Sequence, residues 1–195
     1  MTKIVLRLAL VSVLALAGCD DAGADHQPPP GREGAGDATT SPEPQSTAAP
    51  APAPSVPPLH PSVDDYPEAL VTLTGDDVDL EIAAKLADTP ENREHGLMEV
   101  EDLPAGTGML FVFDDERTGG FWMKSTLVPL DIAYADADGE IVSILAMEPC
   151  SADPCEVYDP GAAYQRALEV AQGWFDAVGV EVGDTLDWEP LDDDE

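Results

Sequence analysis

The sequence predicts an all-β domain, a sandwich or barrel with one or two short helices. Three observations predict it. Val78, Leu80, Ile82, Ala84 and Leu86 alternate with Asp79, Glu81, Ala83 and Lys85, the period of two of a half-buried strand. Several further short apolar runs follow, separated by turn residues. Long helical periodicity, and the strand-helix alternation of a parallel α/β fold, are not evident.

Each element has its own local reason. Leu70 to Thr74 reads as a strand ending at the Gly75-Asp76 turn. Thr89-Pro90-Glu91 starts a short helix, with Thr89 as N-cap and proline at the first helical position. Gly96 stops it after about two turns. Met109 to Phe113, Phe121 to Lys124 and Leu130 to Ala135 are β-prone runs. Asp136-Ala137-Asp138-Gly139 turns the chain into Ile141 to Met147, making a hairpin. Its acids do not continue into a calcium loop, because Tyr134 and Leu145 stand where ligands are needed. Arg166 to Val170 is a further strand, Gly173 to Val178 a short helix carrying Trp174, and Gly183-Asp184 turns into Thr185 to Trp188. These elements place the folded domain at residues 68–190, followed by an acidic tail at 191–195.

The chain before that domain has a different composition. Lys3 and Arg7 precede an apolar run from Leu8 to Ala17. Ten residues are too few to cross about 30 Å of hydrocarbon as a helix, but they suit the core of a signal peptide. The run ends Leu16-Ala17-Gly18-Cys19, which resembles the lipobox of bacterial lipoproteins. The resemblance implies a signal peptide at 1–18, cleavage before Cys19 and lipid on its sulfur. The expected protein is therefore extracytoplasmic and held to a cell membrane by acyl chains. Whether that membrane is inner or outer is not encoded. Residues 19–67 read as a disordered tether rich in proline and alanine, because Val56 and Leu59 are its only large apolar residues before Pro61. Fully extended, these 49 residues reach roughly 150 Å; as a coil they reach about 40 Å.

Charge excludes several partners. The 195 residues carry 40 Asp+Glu against 8 Lys+Arg, a formal net charge of -32. Phosphate backbones need clustered Lys and Arg, so nucleic acid is not expected as a partner. From Val63 onward 34 acids face five bases: Lys85, Arg93, Arg117, Lys124 and Arg166. Such a domain repels itself at low salt, and a salt-loving host would account for the acidity without any ligand. With 3 His and 3 Cys, no cofactor is expected.

Five strings occur in order: Arg93-Glu94-His95-Gly96-Leu97-Met98, Gly108 to Phe113, Phe121-Trp122-Met123-Lys124-Ser125-Thr126, Pro129-Leu130-Asp131-Ile132, and Leu168-Glu169-Val170 followed by Gly173. Together they resemble the bacterial and archaeal family called domain of unknown function 192, over roughly residues 69 to 189. The resemblance implies a compact, jelly-roll-like β fold and implies no reaction. Two departures stand out. The family usually has Asn where this chain has Ser125. After Gly-Leu-Met it often has an apolar residue and then Arg, where this chain has Glu99, Val100 and Glu101. Any anion contact made by that Arg would be lost here.

Candidate site residues follow from chemistry. On a strand, Trp122, Lys124 and Thr126 share one face, opposite Phe121 and Met123. An aromatic ring beside a cation and a hydroxyl suits a sugar or another polar ligand. With Arg93 and Asp131 these form the expected ligand-binding set. The competing expectation is a structural Lys124–Asp131 ion pair with Trp122 as packing. His95 and Met98 lie three apart on the short helix. With Met109, Met123 and Met147 they would make a Cu(I) site, against the plainer reading of core methionines and a solvated imidazole. Cys150 and Cys155 enclose four residues and are expected to form a disulfide outside the cytoplasm. No other metal site is expected.

Three functions remain. The first is a non-catalytic binding or interaction module of the cell envelope, with an unidentified envelope ligand or protein as partner. The second is an extracytoplasmic hydrolase using Asp131 or Glu169 with Lys124 as electrostatic helper. The third is a carrier of Cu(I) or another metal.

Overall fold

The computed structural model describes residues 54–191. The expected signal peptide, the lipidation position Cys19, the first part of the tether and the last four acidic residues lie outside the described residues. The rest is mainly β: β1 (Glu68–Thr74), β2 (Asp79–Ala87), α1 (Pro90–His95), β3 (Thr107–Arg117), β4 (Phe121–Trp122), β5 (Leu130–Ala135), β6 (Ile141–Met147), β7 (Val157–Tyr158), β8 (Tyr164–Ala171), α2 (Trp174–Val178) and β9 (Thr185–Leu191).

Seven strands form one mixed sheet in the order β6-β5-β8-β3-β2-β1-β9, and β4 pairs with β7 in a separate ribbon. The two edge strands meet at one corner, where Glu140 bridges Thr185 and the Ile141 amide donates to the Asp184 carbonyl at 2.8 Å. The sheet is therefore strongly curled but not a closed barrel.

Apolar residues line both faces. Alternation along the strands sends Val71, Leu73, Leu110, Ala133, Leu168 and Val170 to one side, where Phe175 of α2 joins them. Met109, Phe111, Phe113, Ile132, Tyr134 and Ala167 go to the other. A sheet covered on both faces reads as near-continuous apolar runs in its central strands, as in Leu130–Ala135, where every residue is buried.

The second face is covered by a connection that local patterns do not announce. β2 and β3 are parallel, so the chain crosses between them through α1 and the loop after it. Leu97, Val100 and Leu103 of that crossover are buried in the second core. One strand-helix-strand unit thus sits in an otherwise antiparallel fold. Parallel neighbours need such a crossover, since a tight turn cannot reverse the chain twice. The helix itself is as expected: the Thr89 side chain accepts from the Asn92 amide, and Gly96 closes the C-terminus with φ 56°.

The tether ends earlier than expected. Val56 and Val63 are buried, and the Lys85 ammonium donates to the Asp64 carbonyl at 2.7 Å and pairs with Glu68 at 3.0 Å. Lys85 is therefore not on a solvated face; it is 4% exposed, roofed by the segment before β1. Two valines and one charge-assisted anchor suffice to order a stretch that proline already restricts.

The Asp136–Gly139 hairpin is as read. The Asp136 carboxylate accepts from the amides of Asp138 and Glu140, each at 3.0 Å, which commits it to the turn. Cys150 and Cys155 are joined by a disulfide. Among the described residues no helix is long and apolar enough to cross a membrane.

Candidate functional site

A cavity of about 360 Å³ opens on the second face of the sheet. α1 and the turn after it give Arg93, His95, Leu97 and Met98; β3 gives Phe111, Phe113 and Arg117; β4 gives Phe121 and Trp122. Thr126 and, from β8, Tyr164 and Glu169 complete the wall. The volume lies at the lower end of the roughly 300–1,000 Å³ typical of small-molecule sites.

The aromatic rings are mutually braced. Phe121 meets Phe111 edge-on at 4.8 Å and Tyr134 at 5.7 Å. Tyr134 meets Tyr164 at 4.8 Å, and Tyr164 meets Phe113 at 5.8 Å. Such edge-to-face pairs fix ring orientation. The Tyr134 hydroxyl donates to the Tyr158 carbonyl at 2.6 Å, tying the β4–β7 ribbon to the sheet. Gly120 is required at the ribbon's edge, because a Cβ there would collide with the backbone carbonyl of Tyr158.

Three cations gather around these rings. The Arg93 and Arg117 guanidiniums lie over Phe113 at 5.0 and 4.3 Å. Lys124 lies over Trp122 at 5.5 Å. Arg93 also donates to the carbonyls of Asp88 and Val112, which holds α1 to β3. Arg117 stands beside the Tyr164 phenol. Burial pushes that phenol up and the guanidinium pulls it down, with burial the larger effect.

Glu169 is the unusual group. It sits in a central strand, cross-strand from Met109 and from Ile132, and is 4% exposed. Its side chain has no hydrogen-bond or ion partner among the described residues. Desolvation disfavours its charged form and pushes its pKa up to about 8. It is therefore mostly protonated at neutral pH. On the same wall the His95 Nε2 is buried without a partner, so His95 is not the solvated imidazole expected from sequence.

The structure brings Arg93, Trp122 and Thr126 together but separates the rest of the expected set. β4 ends at Trp122, and Lys124 and Ser125 form a turn, so the single face imagined for residues 122, 124 and 126 does not exist. Lys124 is exposed beside Trp122 rather than on the cavity wall. Asp131 accepts from the Gly173 amide at 2.7 Å, and no Lys124–Asp131 pair forms. Burial raises the Asp131 pKa, the Gly173 amide opposes that, and Asp176 adds to it.

Register decides the two-carboxylate idea. Asp131 pairs with Val170 and Ile132 with Glu169, so Asp131 and Glu169 point to opposite faces of the sheet. They cannot flank one bond. Met98 lines the cavity with His95, but Met109, Met123 and Met147 are fully buried in the core and do not line it. Among the described residues no group of three or more His, Cys, Asp or Glu converges on a metal position.

The sequence did not mark Phe111, Phe113, Arg117 and Tyr164 as wall residues, and it offered Glu169 only as an acid or base alternative to Asp131. The signal for Glu169 was present. An acid inside Ala167-Leu168-Glu169-Val170-Ala171 is costly in a core strand unless it serves something.

The fold is a mainly β domain built on one curled mixed sheet. The chain belongs to the domain of unknown function 192 family, described as uncharacterized ACR, whose model matches residues 71–188. No curated protein matches it. A crystal structure from Sinorhizobium meliloti 1021, named provisionally as a transcription regulator, is 31% identical, with TM-score 0.59, covering 63% of this chain and 95% of that one. A protein of unknown function from Novosphingobium aromaticivorans is 27% identical, with TM-score 0.61, covering 73% of this chain and 94% of that one.

Proposed function

We propose that this is a lipid-anchored, extracytoplasmic protein whose β-domain is a non-catalytic module binding a small polar molecule at the cell envelope. One observation carries the binding role: a pocket walled by braced aromatic rings, with Arg117 at its opening and the buried Glu169 on its inner wall. Rigid rings supply contact area at low entropic cost, and convergent polar atoms supply orientation. The anchoring rests on the sequence around Cys19. The tether, shortened to residues 19–55 by the packing of Val56, would hold the domain off the membrane.

The alternatives lose support. Hydrolysis by paired carboxylates lacks its second acid, because Asp131 faces away from Glu169. A Cu(I) carrier lacks its thioethers, because three of the four domain methionines are sealed in the core. The regulatory role suggested for the Sinorhizobium protein does not transfer, since 34 acids against five bases would repel a nucleic acid.

The test is a thermal-shift titration of the chain at constant ionic strength. The panel is calcium, copper(I), cell-wall sugars, small organic acids and short peptides. One class raising Tm saturably supports the binding role. Responses that follow only ionic strength refute it. Anchoring is checked separately: Cys19→Ser should move the protein from the membrane fraction to the soluble one.

A further inference from the structure

The distribution of charge around the cavity narrows the ligand, given the reading of the cavity as a binding site. Only two of the five bases in the domain are ion-paired among the described residues: Lys85 with Glu68 and Arg166 with Asp187. Arg93, Arg117 and Lys124 have no carboxylate within 4.0 Å among the described residues, although acids outnumber bases 34 to five from Val63 onward. In so acidic a domain a cation is easily matched, yet Arg93 and Arg117 stay unmatched on the cavity wall, while Lys124 stands off the wall over Trp122. Each rests over an aromatic ring, which keeps a cation in place without neutralising it. Arg93 is occupied with the carbonyls of Asp88 and Val112. Arg117 is exposed and lines the cavity beside the Tyr164 phenol, so it is the cation available to a ligand there.

The inner wall differs. Glu169 is 4% exposed, faces the cavity and has no partner. The His95 Nε2 is buried and equally unpartnered. The His95 Nε2 is sealed from the cavity, whereas the Glu169 carboxyl opens on it, where a ligand hydroxyl can reach it. Between the two ends lie the faces and edges of Phe111, Phe121 and Trp122.

We infer that the cavity takes a small sugar acid, its carboxylate held at the opening by Arg117 and its hydroxyls turned inward to Glu169. An amine is disfavoured by Arg93 and Arg117 on the wall, where Glu94 is the one exposed acid. A long apolar chain would strand Glu169. A polyanion finds too few free cations, and the surrounding acids repel it.

The experiment is isothermal titration of the full chain at fixed ionic strength and pH 7. The probes are glucuronate, galacturonate and N-acetylmuramic acid, against glucose and glucosamine as neutral and cationic counterparts. At least one acid should bind ten or more times tighter than its counterparts. Arg117→Gln should erase that preference while far-UV circular dichroism stays unchanged, since the residue is exposed. Lys124→Gln, off the cavity wall, should leave the preference in place. Equal binding of neutral or amino sugars, or an Arg117→Gln variant that keeps the acid preference, overturns the inference and leaves the binding site standing. Response only to a non-sugar member of the wider panel does the same. Silence across the whole panel overturns both.

Discussion

Glu169 should make this protein lose stability as pH rises through neutrality. In the unfolded chain its pKa is near the ordinary 4.5, and in the fold it is pushed up to about 8 by burial alone. The group is raised in the folded state. Its contribution is therefore fully favourable below about pH 4.5 and is lost as pH rises through about 8. Between those values the unfolded state has released the proton and the folded state has kept it. The slope is about 1.4 kcal/mol per pH unit for one proton. The accumulated loss is about 3 kcal/mol at pH 7 and between 4 and 5 kcal/mol above pH 8, as an order of magnitude. Glu169→Gln replaces the acid by a neutral group of the same shape and should remove this dependence. The assay is urea denaturation from pH 5 to 9 at constant salt, followed by the fluorescence of Trp174 and Trp188, both packed on the first core. The other acids titrate alike in both proteins, so the difference between the two profiles isolates this residue. Wild type should fall relative to the variant by about 1 kcal/mol or more per unit between pH 5.5 and 7.5. A flat difference profile would refute the reasoning, since Glu169 would then be solvated or paired in solution.

Other predictions concern what holds the walls. Lys85→Ala leaves Glu68 and the Asp64 carbonyl without their partner and should cost about 2–3 kcal/mol; this is below the usual range for buried pairs because Glu68 keeps some contact with water. A loss under 0.5 kcal/mol in chemical denaturation would mean that the roofing segment is not docked. Ser125 has φ 57° and its carbonyl accepts from Glu99, itself at φ 66°. Asn tolerates this left-handed backbone better than Ser, so Ser125→Asn should gain about 0.5 kcal/mol, read as a Tm increase; a decrease would count against the turn. Gly120→Ala should push the β4–β7 ribbon off Tyr158 and lower Tm by several degrees, because its Cβ would meet the Tyr158 backbone; an unchanged Tm would count against that close approach. Reducing the Cys150–Cys155 disulfide should cost about 2 kcal/mol in the loop-entropy model, and no change in Tm on reduction would show the loop to be indifferent to its closure.

The sequence by itself determined the local elements. Alternation marked the strands, Thr89-Pro90 and Gly96 bounded α1, and Asp136 to Gly139 placed the hairpin, because caps, turns and period-two patterns act over a few residues. It also showed the charge imbalance and the family strings. Only the tertiary structure decided which side chains meet. The parallel β2–β3 pair sets α1 over the second face, a long-range choice that no local pattern reports. Strand register sends Asp131 and Glu169 to opposite faces, although both are acids in apolar runs. The early end of β4 leaves Trp122 on the cavity wall and puts Lys124 off it, in the turn that follows. The Lys124–Asp131 pair fails for a related reason: Asp131 is taken by the Gly173 amide, 42 residues away in sequence. The cavity belongs wholly to this second level. Its wall comes from α1, β3, β4 and β8, which only the folded sheet brings together.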